Sequence, residues 1–194
     1  MSERTFTILP VCRHCSKPEI NCDCDGPFSP ADFAADVPLA TRPEPARVLK
    51  PGFLAMTVQR RLTFCAGHRV YGHENKCANP HGHNYAAFIT AAAEELDTIG
   101  RVIDFGVIKE KVGGWIDANW DHAFLYYAGD PDMRAWFEGS VSCRSYSCPF
   151  NPTAENMAQF LLHVVLPHVF QGTGVVGLEV IIEETENCRA TARL

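Results

Sequence analysis

Apolar and polar residues alternate from Met56 to Phe64, which predicts a strand with one buried face. A second apolar stretch, residues 84–96, contains β-branched and aromatic residues that favour a strand, although its alanine run could support a helix. Residues 97–100 have turn chemistry, so residues 101–104 can return as the second strand of a hairpin.

Two helices are predicted after this hairpin. Asp104 can cap a helix over residues 105–118, in which the pair Gly113-Gly114 indicates a kink or close packing. Asn151 can cap a second helix, with Pro152 at its first position. Its apolar face then consists of Met157, Phe160, Leu161, Val164 and Val165.

The C-terminal part returns to strand patterns. Residues 174–184 are rich in β-formers, and residues 188–194 can pair with them across a turn that contains Asn187. The element order is therefore β-β-α-α-β-β, which predicts an α+β fold with two helices on one face of the sheet.

Composition divides the chain into two parts. Residues 1–50 hold four cysteines followed by a series of prolines, which indicates an N-terminal extension and linker. Residues 51–194 have the composition of one globular domain. The nine cysteines are an odd number, and the first residues lack the apolar core of a secretion signal, so we expect a cytoplasmic protein with thiols or metal ligands.

Charge and hydropathy exclude two classes of partner. The formal net charge of −6 argues against general nucleic-acid binding, which requires a basic face. The longest apolar stretches are far shorter than the ~18 residues of a membrane span. A local basic pocket remains possible.

The strongest candidate for chemistry is the motif His81-Gly-His83. Alternate residues of a strand face the same side, so both imidazoles can reach one metal ion. His68, on the neighbouring segment, would supply a third nitrogen and leave the fourth position of a zinc ion open, as in catalytic sites. Alone, a His-x-His motif is more often a pair of hydrogen-bonded loop residues.

Other polar residues accompany these histidines. Cys77 can be either a fourth ligand that closes a structural site or a free thiol beside an open site. Asp121 and His122 offer a carboxylate and an imidazole for proton transfer, although adjacent residues of a strand would face opposite sides. Glu184 offers two oxygen atoms to a ligand with parallel N–H donors.

Taken together, these motifs resemble the family of 6-pyruvoyl tetrahydropterin synthases and 6-carboxytetrahydropterin synthases. The resemblance runs from about Met56 to the C-terminus, and its most specific part is Cys77-x-x-x-His81-Gly-His83. The other matching motifs are Phe64-x-Ala66-x-His68, Val102-Ile-Asp104-Phe105, Asp121-His122, Asn151-Pro-Thr-Ala-Glu155 and Glu184-Thr185.

The resemblance implies a tunnelling fold, with a four-stranded antiparallel sheet, two helices on one face, and subunits joined into barrel-like rings with active sites between them. It implies a homo-oligomer, with a hexamer expected. It also assigns roles: His68, His81 and His83 bind one zinc ion, Cys77 abstracts protons as a thiolate, Asp121 and His122 relay them, and Glu184 anchors the pterin.

The substrate that the resemblance implies is 7,8-dihydroneopterin triphosphate. One branch of the family eliminates triphosphate to give 6-pyruvoyl tetrahydropterin. The other also releases acetaldehyde and leaves 6-carboxytetrahydropterin, on the route to queuosine. The form of the Asn151-Pro-Thr-Ala-Glu155 motif resembles the bacterial enzymes and favours the 6-carboxy product.

Two further interpretations concern metal. The extension contains Cys12-x-x-Cys15 and Cys22-x-Cys24, whose four thiols could bind a second, structural zinc ion or belong to an unliganded tail. A structural zinc module with Cys77 as fourth ligand is the alternative to an enzyme. A zinc protease is disfavoured because His73-Glu74 does not continue to His-Glu-x-x-His.

Overall fold

A computed structural model of the chain describes residues 56–139 and 142–194. The predicted extension, residues 1–50, and its candidate zinc ligands Cys12, Cys15, Cys22 and Cys24 lie outside these residues. Six strands are present in this part of the chain: β1 Thr57–His68, β2 His81–Ala93, β3 Ala123–Tyr127, β4 Ser145–Cys148, β5 Val175–Thr185 and β6 Cys188–Arg193.

Three helical regions connect the strands. Helix α1 consists of Phe105–Ile108, the π-helical turn Lys109–Gly113, and Gly114–Asn119. Helix α2 is Pro131–Gly139. Helix α3 consists of Ala154–Phe160, the π-helical turn Leu161–Val165, and Leu166–Val169. The two predicted helices are confirmed by α1 and α3, but Thr153 caps α3 instead of the predicted Asn151, so Pro152 lies before the helix. The glycine pair lies where the π-helical turn of α1 ends.

The strands form one mixed sheet in the order β4-β3-β1-β2-β5-β6. The strands predicted over residues 56–64, 84–96, 174–184 and 188–194 correspond to β1, β2, β5 and β6, which pair antiparallel in that order. Residues 101–104 do not form a strand. The prediction of a purely antiparallel four-stranded sheet is therefore wrong, because β3 and β4 add parallel pairings beside β1.

Residues 101–104, which were predicted to return as the second strand of a hairpin, belong to a compact loop. Asp97 accepts hydrogen bonds from the backbone N–H groups of Ile99 and Arg101, and the Arg101 guanidinium contacts the carboxylates of Asp97 and Asp104. These side-chain bonds satisfy the backbone locally, so no strand forms there. Asp104 also accepts from the Gly106 N–H, which confirms it as the cap of α1.

One hydrophobic core lies between the helices and one face of the sheet. The face includes Leu62 and Phe64 of β1 and Tyr85 and Ile89 of β2, all buried. The opposite residues of β1, such as Arg61 and Cys65, are exposed. The two faces therefore follow the alternation in the sequence, and the histidines at the ends of β1 and β2 share the face that carries the core.

A buried ion pair fixes the connection between β1 and α2. The Arg69 guanidinium donates to both carboxylate oxygens of Asp130, which is completely buried. Asp130 also accepts from the backbone N–H groups of Asp132 and Met133 at the start of α2.

Among the described residues, no helix is long and apolar enough to cross a membrane.

Candidate functional site

Three histidines meet where the first hairpin of the sheet opens into its loop. His68 ends β1 directly opposite His81, which begins β2, and His83 lies opposite Ala66. One nitrogen atom from each of the three imidazoles lies within 4.8 Å of the others. The predicted cluster of His68, His81 and His83 is thus brought together by strand register alone.

Hydrogen bonds to backbone carbonyls set the tautomers of two of these rings. His68 Nδ1 lies 2.6 Å from the Pro152 carbonyl oxygen, and His81 Nδ1 lies 2.7 Å from the Asn79 carbonyl oxygen. A carbonyl oxygen only accepts, so both Nδ1 atoms carry the hydrogen and both Nε2 atoms carry lone pairs. The two Nε2 atoms are 3.1 Å apart.

Two lone pairs at this distance repel each other unless a cation lies between them. Two imidazole nitrogens on one tetrahedral zinc ion, each about 2.0–2.1 Å from the metal, are about 3.3 Å apart. The observed spacing is close to that value. Backbone carbonyls that hold Nδ1–H are also the usual outer partners of metal-binding histidines. The residues present therefore fit a zinc ion.

The surroundings favour the neutral form of His68 and His83. Burial lowers the pKa of His68 to about 4, against the opposing effect of the Pro152 carbonyl, and the other two histidines lower it further. Burial and the nearby His81 also lower the pKa of His83. A neutral imidazole is the form that binds a metal ion, so His68 and His83 are prepared for one at neutral pH.

The low pKa of His68 predicts that the metal-free protein loses stability in acid. The unfolded chain takes up a proton near pH 6.5 and the folded chain near pH 4, so stability is complete above 6.5 and falls between these values. The gap corresponds to roughly 3 kcal/mol. Denaturant unfolding of the chelator-treated protein between pH 7.5 and 4 measures it.

The control is His68→Asn, whose amide can still donate to the Pro152 carbonyl but does not titrate. Between pH 7.5 and 4, the free energy of unfolding should fall by roughly 3 kcal/mol more in the native protein than in the variant. Equal slopes for the two proteins would show that His68 is not the buried neutral group described here.

The histidine cluster opens into a cavity of about 220 Å³. Its lining includes His68, His81, Cys77 and Glu184, which were predicted to act together. It also includes residues to which the sequence motifs assigned no role: Val70, His73, Thr153, Ala154, Glu155, Cys188 and Arg189. The thiol, two of the three metal-ligand candidates and the carboxylate thus share one cavity.

Glu184 lies beside the open side of the cluster, with Oε1 3.8 Å from His68 Nε2. Burial and the neighbouring carboxylate of Glu155 raise its pKa, while His81 opposes this effect. Two carboxylates in a half-buried cavity favour a ligand that presents several N–H donors. Glu155 could have been predicted from its place in the Asn-Pro-Thr-Ala-Glu motif, two residues after the cap of α3.

Asp121 and His122 lie in the turn before β3 rather than on a strand. His122 adopts a φ of 55°, and its Nδ1 contacts Asp121 Oδ2 at 2.7 Å. The other Asp121 oxygen accepts from the Cys65 backbone N–H at 2.8 Å. The expectation that the two side chains face opposite sides is therefore wrong.

The Asp121–His122 pair is well formed but lies apart from the cavity. Although burial opposes it, hydrogen bonds from the Cys65 N–H and from His122 lower the pKa of Asp121, which keeps it ionised. The His122 side chain is 77% exposed, and neither residue lines the cavity with Cys77. Within one subunit, the structure does not unite the pair with the thiol.

Comparison with known proteins shows the family of the chain. The family model described as 6-pyruvoyl tetrahydropterin synthase matches residues 57–194. The chain belongs to this family. Relatives in Rickettsia bellii and Rickettsia felis, both named 6-carboxy-5,6,7,8-tetrahydropterin synthase, are 40% and 41% identical over 129 residues. Each alignment covers 66% of this chain and 94% of the relative.

Solved structures extend the comparison to the fold of the 6-pyruvoyl tetrahydropterin synthase family. A protein from Wolinella succinogenes aligns with a TM-score of 0.61 at 24% identity, over 72% of this chain and 98% of that one. The 6-pyruvoyl tetrahydropterin synthase of Plasmodium vivax aligns with a TM-score of 0.52 at 18% identity, over 71% and 97%. The mixed sheet with its helices is thus a known architecture.

Proposed function

We propose that the protein converts 7,8-dihydroneopterin triphosphate and water to 6-carboxy-5,6,7,8-tetrahydropterin, with release of triphosphate and acetaldehyde, and that it requires zinc. The observation that carries this proposal is the cavity that joins Cys77 and Glu184 to the histidine cluster. Relatives that align over nearly their whole length and are named for the 6-carboxy product support the choice of reaction.

Each group has a task in this proposal. His68, His81 and His83 hold zinc, which would stabilise negative charge on the side-chain oxygens of the substrate and acidify the adjacent positions. Glu184 accepts hydrogen bonds from the N–H groups of the pterin, next to Glu155. Cys77 removes and returns protons on the substrate side chain, because its thiol lies in the same cavity.

The Asp121–His122 pair is proposed to act in the cavity of a neighbouring subunit. Asp121 holds the Nδ1 side of the imidazole, which leaves Nε2 free to exchange protons. The His122 side chain is 77% exposed, so its ring is available to a second copy of the chain. Strands β4 and β6 each pair on one side only within the described sheet, so both edges can join further subunits. A ring of subunits, with a hexamer expected, would combine these features.

The test is to incubate the purified, zinc-loaded protein with 7,8-dihydroneopterin triphosphate, identify the pterin product by mass, and assay acetaldehyde. We expect the 6-carboxy product and acetaldehyde in equal amounts. The 6-pyruvoyl product without acetaldehyde would support the alternative branch of the family. Absence of any turnover, with zinc bound at the histidines, would overturn the proposal.

A further inference from the structure

Asn151 connects two parts of the cavity wall that the strands leave separate. Residues 69–80, here called the thiol loop, link β1 to β2 and carry Cys77. The Asn151 side chain makes two hydrogen bonds to the backbone of Tyr71 in this loop: Oδ1 accepts from the Tyr71 N–H at 2.8 Å, and Nδ2 donates to the Tyr71 carbonyl at 2.9 Å. The amide thus pairs with the loop as a neighbouring strand would.

The next residue along the chain fixes a metal-ligand candidate. The Pro152 carbonyl accepts from His68 Nδ1 at 2.6 Å, which aims His68 Nε2 at the cluster. The backbone of Asn151 is itself held, because its carbonyl accepts from the Thr153 N–H and from the Asn156 side chain. Two adjacent residues, Asn151 and Pro152, therefore set the positions of both the loop and the imidazole.

The contact reaches Cys77 through one further hydrogen bond. The Val70 N–H donates to the Cys77 carbonyl at 2.8 Å, directly before Tyr71 in the chain. The short turn that contains the thiol, Lys76–Ala78, has no buried residue. Side-chain packing thus contributes little to its position. Within the turn, Ala78 and Asn79 make local backbone hydrogen bonds, and the bond from Val70 ties the turn to the segment that Asn151 holds.

We infer that Asn151 is a positioning residue that holds the Cys77 thiol at the distance from the metal ligands that proton transfer requires. This inference rests on the proposed function for its kinetic consequences. The expected loss of rate in an Asn151 variant does not require a loss of stability, because Tyr71 is 41% exposed and water can replace the lost amide hydrogen bonds at modest cost. Displacement of a reacting group by about 1 Å can lower a rate by about 10²-fold.

The test compares Asn151→Ala with Asn187→Ala, which alters an exposed asparagine in the turn between β5 and β6. For Asn151→Ala we expect kcat to fall by about 10- to 100-fold, with KM and zinc content within about 3-fold of the native values. Asn187→Ala should keep native kcat. Asn151→Asp retains the Oδ1 acceptor but places a second acceptor oxygen against the Tyr71 carbonyl, so its kcat should fall as well, and it serves if the alanine variant does not fold.

A second readout is independent of turnover. The Cys77 side chain is partly shielded. Release of the thiol loop in Asn151→Ala should therefore increase the rate at which iodoacetamide alkylates Cys77 at least about 3-fold. Peptide mapping can compare it with Cys188, whose rate should not change. Unchanged Cys77 alkylation and unchanged kcat would overturn the role of Asn151. If the native protein does not convert the pterin, the proposed function fails and the alkylation rates alone decide the positioning role.

Discussion

Replacing Cys77 with alanine is expected to lower turnover of 7,8-dihydroneopterin triphosphate by about 10²- to 10⁴-fold, the usual range for loss of a proton-transfer group. Zinc content should stay at the native level, because three histidine nitrogens converge without the thiol. Steady-state kinetics and elemental analysis of the same preparation measure both quantities. The result separates an enzyme from a structural zinc module, in which Cys77 would be the fourth ligand.

The matched control for this change is Cys188→Ala. Cys188 lines the same cavity as Cys77 but lies on β6, and no proton-transfer role is proposed for it. We expect its turnover to remain within about 3-fold of native. Loss of zinc together with stability in Cys77→Ala would favour the structural module, and equal losses in both cysteine variants would remove the special role of Cys77.

Replacing His81 with alanine is expected to remove both zinc and activity. The Asn79 carbonyl holds His81 with Nε2 facing that of His68, so its loss leaves two of the three nitrogen ligands. Loss of an outer-shell partner alone weakens metal binding by about 10–100-fold, and loss of a ligand should exceed that. Competition with a chromophoric chelator measures the affinity.

Any zinc that the N-terminal cysteines hold must not be counted in this measurement. The variant is therefore made in a background in which Cys12, Cys15, Cys22 and Cys24 are serine. The control is His163→Ala, which changes an exposed histidine on α3. It should retain native affinity and turnover. Native zinc affinity in His81→Ala would show that this histidine is not a ligand.

The histidine cluster could be predicted because it depends on short-range geometry. His81 and His83 are two residues apart on one strand, and His68 ends the antiparallel neighbour, so period-two alternation places all three on one face. Strands β3 and β4 could not be predicted in the same way. In β3, Leu125 faces the core while Phe124 packs against Trp136 and Phe137 of α2, so both faces are covered and the alternation is lost.

Contacts between distant residues account for most of the remaining differences. Asn151 was expected to cap α3, but its side chain pairs with Tyr71, 80 residues away in sequence, and Thr153 caps the helix instead. Pro152 then lies before the helix rather than at its first position. Helix-start preferences are local, and here a tertiary hydrogen bond uses the residue differently. The contact of Asp121 with His122 likewise depends on a positive φ that the sequence pattern does not reveal.

X-ray absorption at the zinc edge tests most directly whether His68, His81 and His83 hold one zinc ion. The sample is the full chain with Cys12, Cys15, Cys22 and Cys24 replaced by serine. We predict nitrogen or oxygen scatterers at about 2.0–2.1 Å, with the imidazole pattern of three histidines and no sulfur. A sulfur scatterer at about 2.3 Å, which disappears in Cys77→Ala, would contradict an open three-histidine site and identify a closed structural site.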